Sequence, residues 1–392
     1  MDDSKQIINT GLRGVTVAST RISHVDGEAG KLIYRGFPIF DLSDKTSYEE
    51  IVHLLLYESL PDPQKLKALN DRLVINRAIP DNLIAALKTQ PDNALPMDIL
   101  QAAIPILANN DPDAAVLTIE NAHRIAESLI AKIATIVAAW HRIRNHLEPI
   151  APDPALNHAE NFLYMMTGEQ AEENTARFFD TCLVLHAEHS FNASTFSARQ
   201  IASTRAHMYA AVGGAVGSLS GELHGGANTR VMQMLQTINS VEAIDGYINH
   251  VLETGGKLMG LGHAVYKTGD PRARILAPMS KKLGALSNNT KWYDMTVTLE
   301  EKGKRAFKEH KGIDIYPNVD FYSASLYHYM GIPADIFTPV FAVSRVAGWT
   351  AHVIEEQFGG ADAKPALYRP ASDYIGEYCG PAECAFIPMD ER

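Results

Sequence analysis

Ser47-Tyr-Glu-Glu50-Ile-Val-His-Leu-Leu-Leu-Tyr57 is where the character of this chain changes. Ser47, with a glutamate three residues on, forms a capping box: the serine side chain can accept from the Glu50 N–H while the Glu50 carboxylate reaches back to the Ser47 N–H. Ile51, Val52, Leu54, Leu55 and Leu56 follow at helical spacing, and Pro61 comes after their end, which predicts a helix. Upstream, strand signals dominate. Val15-Thr-Val-Ala-Ser-Thr20 and Lys31-Leu-Ile-Tyr34 flank Asp26-Gly27 and Gly30, which predicts a short hairpin. Downstream, apolar residues recur at helical spacing from Asp113 to His146 (Val116, Ile119, Ile125, Leu129, Ile133, Ile136, Val137, Trp140), as one long helix or two. The helical pattern continues over Glu172 to Phe191, Ile201 to Leu219, Asn228 to Leu235, Val241 to Leu252, Ala273 to Leu283 and Ala334 to Phe358. The expected fold is mainly α with a small N-terminal β-hairpin.

A chain of 392 residues with 46% hydrophobic and 21% charged residues can bury a large core, and its length favours two or three domains. A formal net charge of -11 argues against a nucleic-acid binder, so an anionic ligand must be held by local positive charge. Met1-Asp-Asp-Ser-Lys5 lacks the basic region and apolar stretch of a secretory signal. Ala210 to Leu219 is far shorter than the roughly 20 residues that span a bilayer, so no membrane association is expected. Cys182, Cys379 and Cys384 are too few and too scattered for a disulfide framework or a four-thiolate zinc site. These features point to a reducing compartment, and a cytoplasmic protein is expected.

Three segments carry chemistry: Gly221-Glu-Leu-His224-Gly-Gly-Ala-Asn228, Gly260-Leu-Gly-His263-Ala-Val-Tyr-Lys267-Thr-Gly-Asp-Pro-Arg272 and Pro317-Asn-Val-Asp320-Phe-Tyr-Ser323. Two imidazoles, a carboxylate and an arginine can deprotonate a carbon beside a carbonyl, stabilise the enol and hold an anionic partner. His186 and His189, three residues apart in a helical pattern, could present two nitrogens to a metal. No acidic or thiol partner completes a zinc pattern around them, so no metal site is assigned. Gly213-Gly214 and Gly217 lie in a helical stretch of small residues, which suits either a crowded core or a helix contact between subunits.

Taken with their neighbours, these segments resemble citrate synthase over nearly the whole chain. The resemblance rests on His186-Ala-Glu-His189-Ser-Phe-Asn192-Ala-Ser-Thr195-Phe, Leu223-His224-Gly-Gly-Ala-Asn228, Met259-Gly-Leu-Gly-His263-Ala-Val-Tyr-Lys267-Thr-Gly-Asp270-Pro-Arg272, Asn318-Val-Asp320-Phe-Tyr-Ser323, Phe341-Ala-Val-Ser-Arg345 and Arg369-Pro370, in order and at compatible spacing. Gly11-Leu-Arg-Gly14-Val and Leu32-Ile-Tyr34-Arg-Gly36 fit the short bacterial and archaeal form.

The resemblance implies a two-domain helical fold: a large domain from residues 1–225 and 329–392, and a small domain from 226–328. It implies a transferase of the tricarboxylic acid cycle that joins acetyl-CoA to oxaloacetate and hydrolyses citryl-CoA. Asp320 would be the base, His224 the stabiliser of the enol and His263 the donor to the keto oxygen. Oxaloacetate would be held by His189, Arg272, Arg345 and, from a partner subunit of a homodimer, Arg369. Coenzyme A would lie along Lys257, Leu258, Met259, Gly260 and Gly262, with Lys267 near its phosphates. Acetyl-CoA is then a co-substrate, and no tightly bound cofactor is implied. Relatives often carry arginine where this chain has Ala264, histidine where it has Leu95, and proline where it has Glu222. The nearest rival is 2-methylcitrate synthase, which takes propionyl-CoA. Readings from other classes are a zinc hydrolase built on His186, His189 and His224, and a non-catalytic CoA-binding protein.

Overall fold

The capping box at Ser47 forms as the sequence predicts: the Ser47 side chain accepts from the Glu50 N–H, and the Glu50 carboxylate accepts from the Ser47 N–H at 2.7 Å. The helix it starts, Tyr48–Tyr57, buries Ile51, Val52, Leu54, Leu55 and Leu56. This is seen in a computed structural model, which describes residues 10–12, 14–263, 265–359, 361, 365–376 and 388–391. Ala264, Cys379 and Cys384 lie outside the described residues.

The N-terminal sheet has three antiparallel strands, Ser23–Asp26, Lys31–Tyr34 and Phe37–Pro38, in sequence order. Its first strand is Ser23–Asp26, not the expected Val15–Thr20. The turn decides this: Asp26 pairs with Lys31 directly across it, and the Asp26 carboxylate accepts from the Ala29 N–H at 2.8 Å inside it. Once the turn closes at Asp26, only the residues immediately before it can face Lys31–Tyr34.

The long apolar pattern resolves into a single helix, Ile119–Arg144, capped by Thr118. Val116 stays outside it, largely exposed. Against this helix packs Phe337–Phe358, nearly all of it buried, and the two form the centre of the molecule. Where one helix was expected over Ile201 to Leu219 there are two, Ala193–Ser203 and Met208–Ser220. Arg205 takes a left-handed conformation between them and His207 caps the second, its side chain accepting from the Ala210 N–H. The helix expected through Phe191 ends at His186.

The small residues of Met208–Ser220 admit neighbours within the same chain. A side chain at Gly214 would begin 2.2 Å from the Ile201 terminal methyl, and one at Gly217 would begin 2.4 Å from the Gln101 amide nitrogen. Both atoms are the ends of flexible side chains, and the two glycines also line a surface cavity with Gln101 and Ile201.

Residues Ala227–Ile238, Ile244–Thr254, Pro271–Leu286, Lys291–Lys311 and Val319–Tyr329 form helices that pack on one another. Lys291–Lys311 is not foreseen from the apolar pattern, because its charged residues leave only Met295, Thr296, Leu299 and Gly303 buried. Pro63–Asn76, Asp81–Lys88, Pro96–Asn109 and His158–Thr167 are further helices of the first half. Among the described residues no helix is long and apolar enough to cross a membrane.

Candidate active site

His224 lies in the loop between Met208–Ser220 and Ala227–Ile238, and its Nε2 faces Ser194 in the first turn of Ala193–Ser203. The Ser194 N–H donates to Nε2 at 3.1 Å, and the Ser194 hydroxyl is 2.8 Å from the same nitrogen. A backbone N–H can only donate, so Nε2 carries the lone pair and Nδ1 the proton of the neutral ring. Burial, with Arg345 nearby, pushes the His224 pKa down to about 4. Trp349 donates its indole N–H to the Ser194 hydroxyl at 3.1 Å, which ties this arrangement to the central helix.

His263 has the opposite tautomer. The N–H groups of Val265 and Tyr266 donate to its Nδ1 at 2.9 and 3.2 Å, leaving Nε2 as the donor. Burial and then Arg272 push its pKa to about 4, so it too is neutral at neutral pH. The segment before it is zipped to the segment before Asp320. Gly262 donates its N–H to the Tyr316 carbonyl at 2.7 Å, and Asn318 donates to the Gly260 carbonyl at 2.9 Å. Asn318 caps Val319–Tyr329 and thereby sets Asp320 in that helix's first turn. Burial pushes the Asp320 carboxyl up to about 6, even though Arg272 and Arg345 pull it down.

The two arginines are built differently. Arg272 is buried and gripped by Asp270 through two bonds, Nε to Oδ1 at 2.9 Å and Nη2 to Oδ2 at 2.7 Å. That aspartate also accepts from the Val319 N–H at 3.1 Å, so one carboxylate orients both the guanidinium and the helix carrying Asp320. Arg345, on Phe337–Phe358, donates to the His186 carbonyl at 2.5 Å and lies over the Phe341 ring at 4.6 Å. Burial lowers its pKa to about 10, and it remains a cation.

His189, His224, His263, Arg272, Asp320 and Arg345 all line one cavity of about 650 Å³. The structure therefore brings together the expected base, the two imidazoles and three of the four expected oxaloacetate ligands. Arg369 is exposed and outside this lining; its neighbour Tyr368 is tethered to Glu356 at 2.9 Å. Five neutral or cationic nitrogen groups around one carboxylate can bind a dianion and shuttle a proton at a carbon beside a carbonyl.

The expected coenzyme A segment fares differently. Of its members only Gly262 lines the cavity. Leu258 is buried in the hydrophobic core, and Lys257 is exposed. Gly260, at φ 78°, serves packing: a side chain there would begin 2.7 Å from Val231 and 2.8 Å from Phe321. Gly262, at φ 99°, has open space around it, which suits backbone that a ligand approaches. The Lys267 ammonium is paired with Glu28 of the hairpin turn, so in this conformation it is engaged within the protein.

His186 and His189 do not share a helical face, because the helix stops at His186. The His186 Nδ1 meets the Cys182 carbonyl at 2.7 Å, while the His189 Nε2 meets the Tyr266 hydroxyl at 3.1 Å. Among the described residues no group of three or more His, Cys, Asp or Glu side chains is placed to hold a metal ion. His24 and Val25 of the first strand also line the cavity and carried no signal in the sequence. Ser194 and Asp270 did stand inside the recognised segments, but residue type alone gives them no role.

Residues 11–371 match the family described as citrate synthase, C-terminal domain. The chain belongs to the citrate synthase family. The citrate synthase of Haloferax volcanii is 41% identical, with 98% of this chain and 99% of that protein aligned. A 2-methylcitrate synthase of Corynebacterium glutamicum is 38% identical over 94% of this chain and 95% of its own. Among solved structures, a citrate synthase of Thermoplasma acidophilum, a ternary complex with carboxymethyl coenzyme A and oxaloacetate, superimposes with a TM-score of 0.90 at 32% identity. It covers 98% of this chain and all of that one. The citrate synthase fold, helical with a small sheet, is thus the fold of this chain.

Proposed function

We propose that the chain condenses acetyl-CoA with oxaloacetate and hydrolyses the resulting citryl-CoA to citrate and CoA. One observation carries the reading: Asp320, His224 and His263 share a cavity with two buried arginines, and the two imidazoles present opposite ring nitrogens as donors. Asp320, with a pKa near 6, is ionised at neutral pH yet basic enough to take a proton from the acetyl methyl group. His224, proton on Nδ1, hydrogen-bonds the thioester oxygen as negative charge grows there. The enol carbon then attacks the ketone carbon of oxaloacetate. His263, proton on Nε2, hands that proton to the ketone oxygen as it becomes a hydroxyl. Water finally cleaves the thioester, releasing CoA as a thiol.

Arg272 and Arg345 suit the two carboxylates of oxaloacetate, because each guanidinium offers paired donors and neither loses its charge. His189 adds a contact. The residues 226–328 would close as a small domain over the large one formed by 1–225 and 329–392, with oxaloacetate binding first and building the acetyl-CoA site. In that closed site Lys257 to Gly262 would receive coenzyme A, and Lys267 would exchange Glu28 for its phosphates. The protein would work as a cytoplasmic homodimer, with Arg369 reaching the partner's site.

The relationship to a 2-methylcitrate synthase supports a second reading with propionyl-CoA as acyl donor. One methylene is worth about 1–3 kcal/mol of discrimination. Thiol release by purified protein with oxaloacetate, measured as kcat/KM for acetyl-CoA and for propionyl-CoA, separates the two. No thiol release with either acyl-CoA overturns the proposed reaction.

A further inference from the structure

Tyr266 packs beside both of the imidazoles that the proposed reaction assigns to the keto acid. Its hydroxyl lies 3.1 Å from His189 Nε2, and its backbone N–H donates to His263 Nδ1 at 3.2 Å. Its ring centre is 5.6 Å from that of His189 and 4.7 Å from that of His263, and the imidazoles are 5.5 Å from each other. One side chain therefore touches both rings while its main chain fixes one of them.

Burial keeps both members of the phenol–imidazole pair uncharged: it pushes the Tyr266 hydroxyl pKa well up and the His189 pKa well down, the latter helped by Arg272. A neutral phenol facing a neutral imidazole shares one proton in one hydrogen bond. The phenol oxygen can give that proton or receive it, so the bond fixes the orientation of the His189 ring. The backbone under Tyr266 is held separately by the hairpin turn. Lys267 donates its N–H to the Gly27 carbonyl at 2.9 Å, and a side chain at Gly27 would begin 2.2 Å from the Val265 carbonyl oxygen.

We propose that Tyr266 is a positioning residue for the keto acid, bridging His189 and His263 so that both imidazoles keep one orientation and one spacing. This rests on the reading of His189 and His263 as groups that touch oxaloacetate. The chemistry is specific: the hydroxyl acts on His189, which anchors the substrate, whereas the N–H acts on His263, which donates the proton. Removing the hydroxyl leaves a buried imidazole nitrogen without its partner, but leaves the ring packing and the His263 bond in place.

The test is Tyr266→Phe in the full-length protein. The expected result is a KM for oxaloacetate raised about tenfold with kcat within about threefold of wild type, a split that general loosening would not produce. The imidazole ¹⁵N signals of His189, which lose the partner of Nε2, should shift while those of His263 stay. In a His189→Gln background, Tyr266→Phe should raise the oxaloacetate KM no further. Wild-type KM together with unmoved His189 signals in Tyr266→Phe overturns the inference, as do fully additive effects in the double variant. A wild-type oxaloacetate KM in His189→Gln overturns the underlying reading instead, and the two failures are distinct because the His189 ¹⁵N spectrum still reports the Tyr266 bond.

Discussion

Ser194 meets His224 twice at one atom: its backbone N–H, at 3.1 Å, and its hydroxyl, at 2.8 Å, both reach Nε2. That pairing decides which nitrogen of His224 can donate to a substrate. The Trp349 indole occupies a lone pair of the same hydroxyl, so the serine is itself held by the central helix.

His224→Ala should slow exchange of the acetyl methyl protons by about a hundredfold, because an enol stabiliser of this kind contributes on that scale. Ser194→Ala keeps the backbone donor and removes the hydroxyl, so the exchange rate should fall only about three- to tenfold. Methyl proton exchange followed by NMR checks both; equal losses would mean that the hydroxyl alone orients the ring.

Asp320→Asn should lower condensation by a factor of about 10² to 10⁴, the usual contribution of a positioned base, and leave oxaloacetate binding within a few-fold. Its effect on stability has the opposite sign. The Asp320 pKa is raised from 3.8 to about 6 on folding, so between those values the folded state holds a proton that the unfolded chain has released. Wild-type stability therefore drops as pH rises across that window and stays lower above it. The amide variant escapes this cost. Its melting temperature should match wild type near pH 4 and exceed it above pH 6, by an amount equivalent to about 1–3 kcal/mol. Calorimetry at the two pH values decides it.

Both His224 and His263 should remain neutral down to about pH 5, since burial brings each to about 4. The acid limb of kcat should then report Asp320, with an apparent pKa near 6 in wild type. Imidazole carbon-bound proton shifts followed from pH 8 to pH 4 test the assignment. A ring that titrates near 6.5 shows that burial does not hold it neutral at pH 5 and overturns that expectation.

Gly27→Val should lower kcat/KM about tenfold or more with little change in melting temperature. The added side chain would strike the Val265 carbonyl, and the same short segment supplies both donors to His263 Nδ1. Steady-state kinetics beside a melting curve separate this from a folding defect.

Mixing Asp320→Asn with Arg369→Ala, each inactive alone, should restore activity under subunit exchange if Arg369 acts on the partner. The hybrid then has one site with Asp320 and Arg369 both intact. Its location outside its own chain's cavity is the reason for expecting this. Hybrids that form, as seen by mass, but recover no activity reject sharing.

Local pattern was enough for what is local. The Ser47 capping box and the helical character of the stretch through Trp140 follow from residue type and spacing, because caps and helical faces involve neighbours a few residues apart; that this stretch is one helix and not two was left to the structure. Even so, the first strand moved to Ser23–Asp26 when the turn chose its partner, and Arg205 and His207 split one expected helix into two. The cavity was decided by tertiary structure alone. His24 entered it through sheet pairing, and Gly260 proved to make room for Phe321 and Val231. Which nitrogen of His224 or His263 holds the proton depends on backbone donors brought up by folding, and the Asp320 pKa depends on burial beside Arg272 and Arg345. Sequence names the groups that can ionise or donate; only the packed surroundings set their charge and direction, since both follow from distances to atoms far away along the chain.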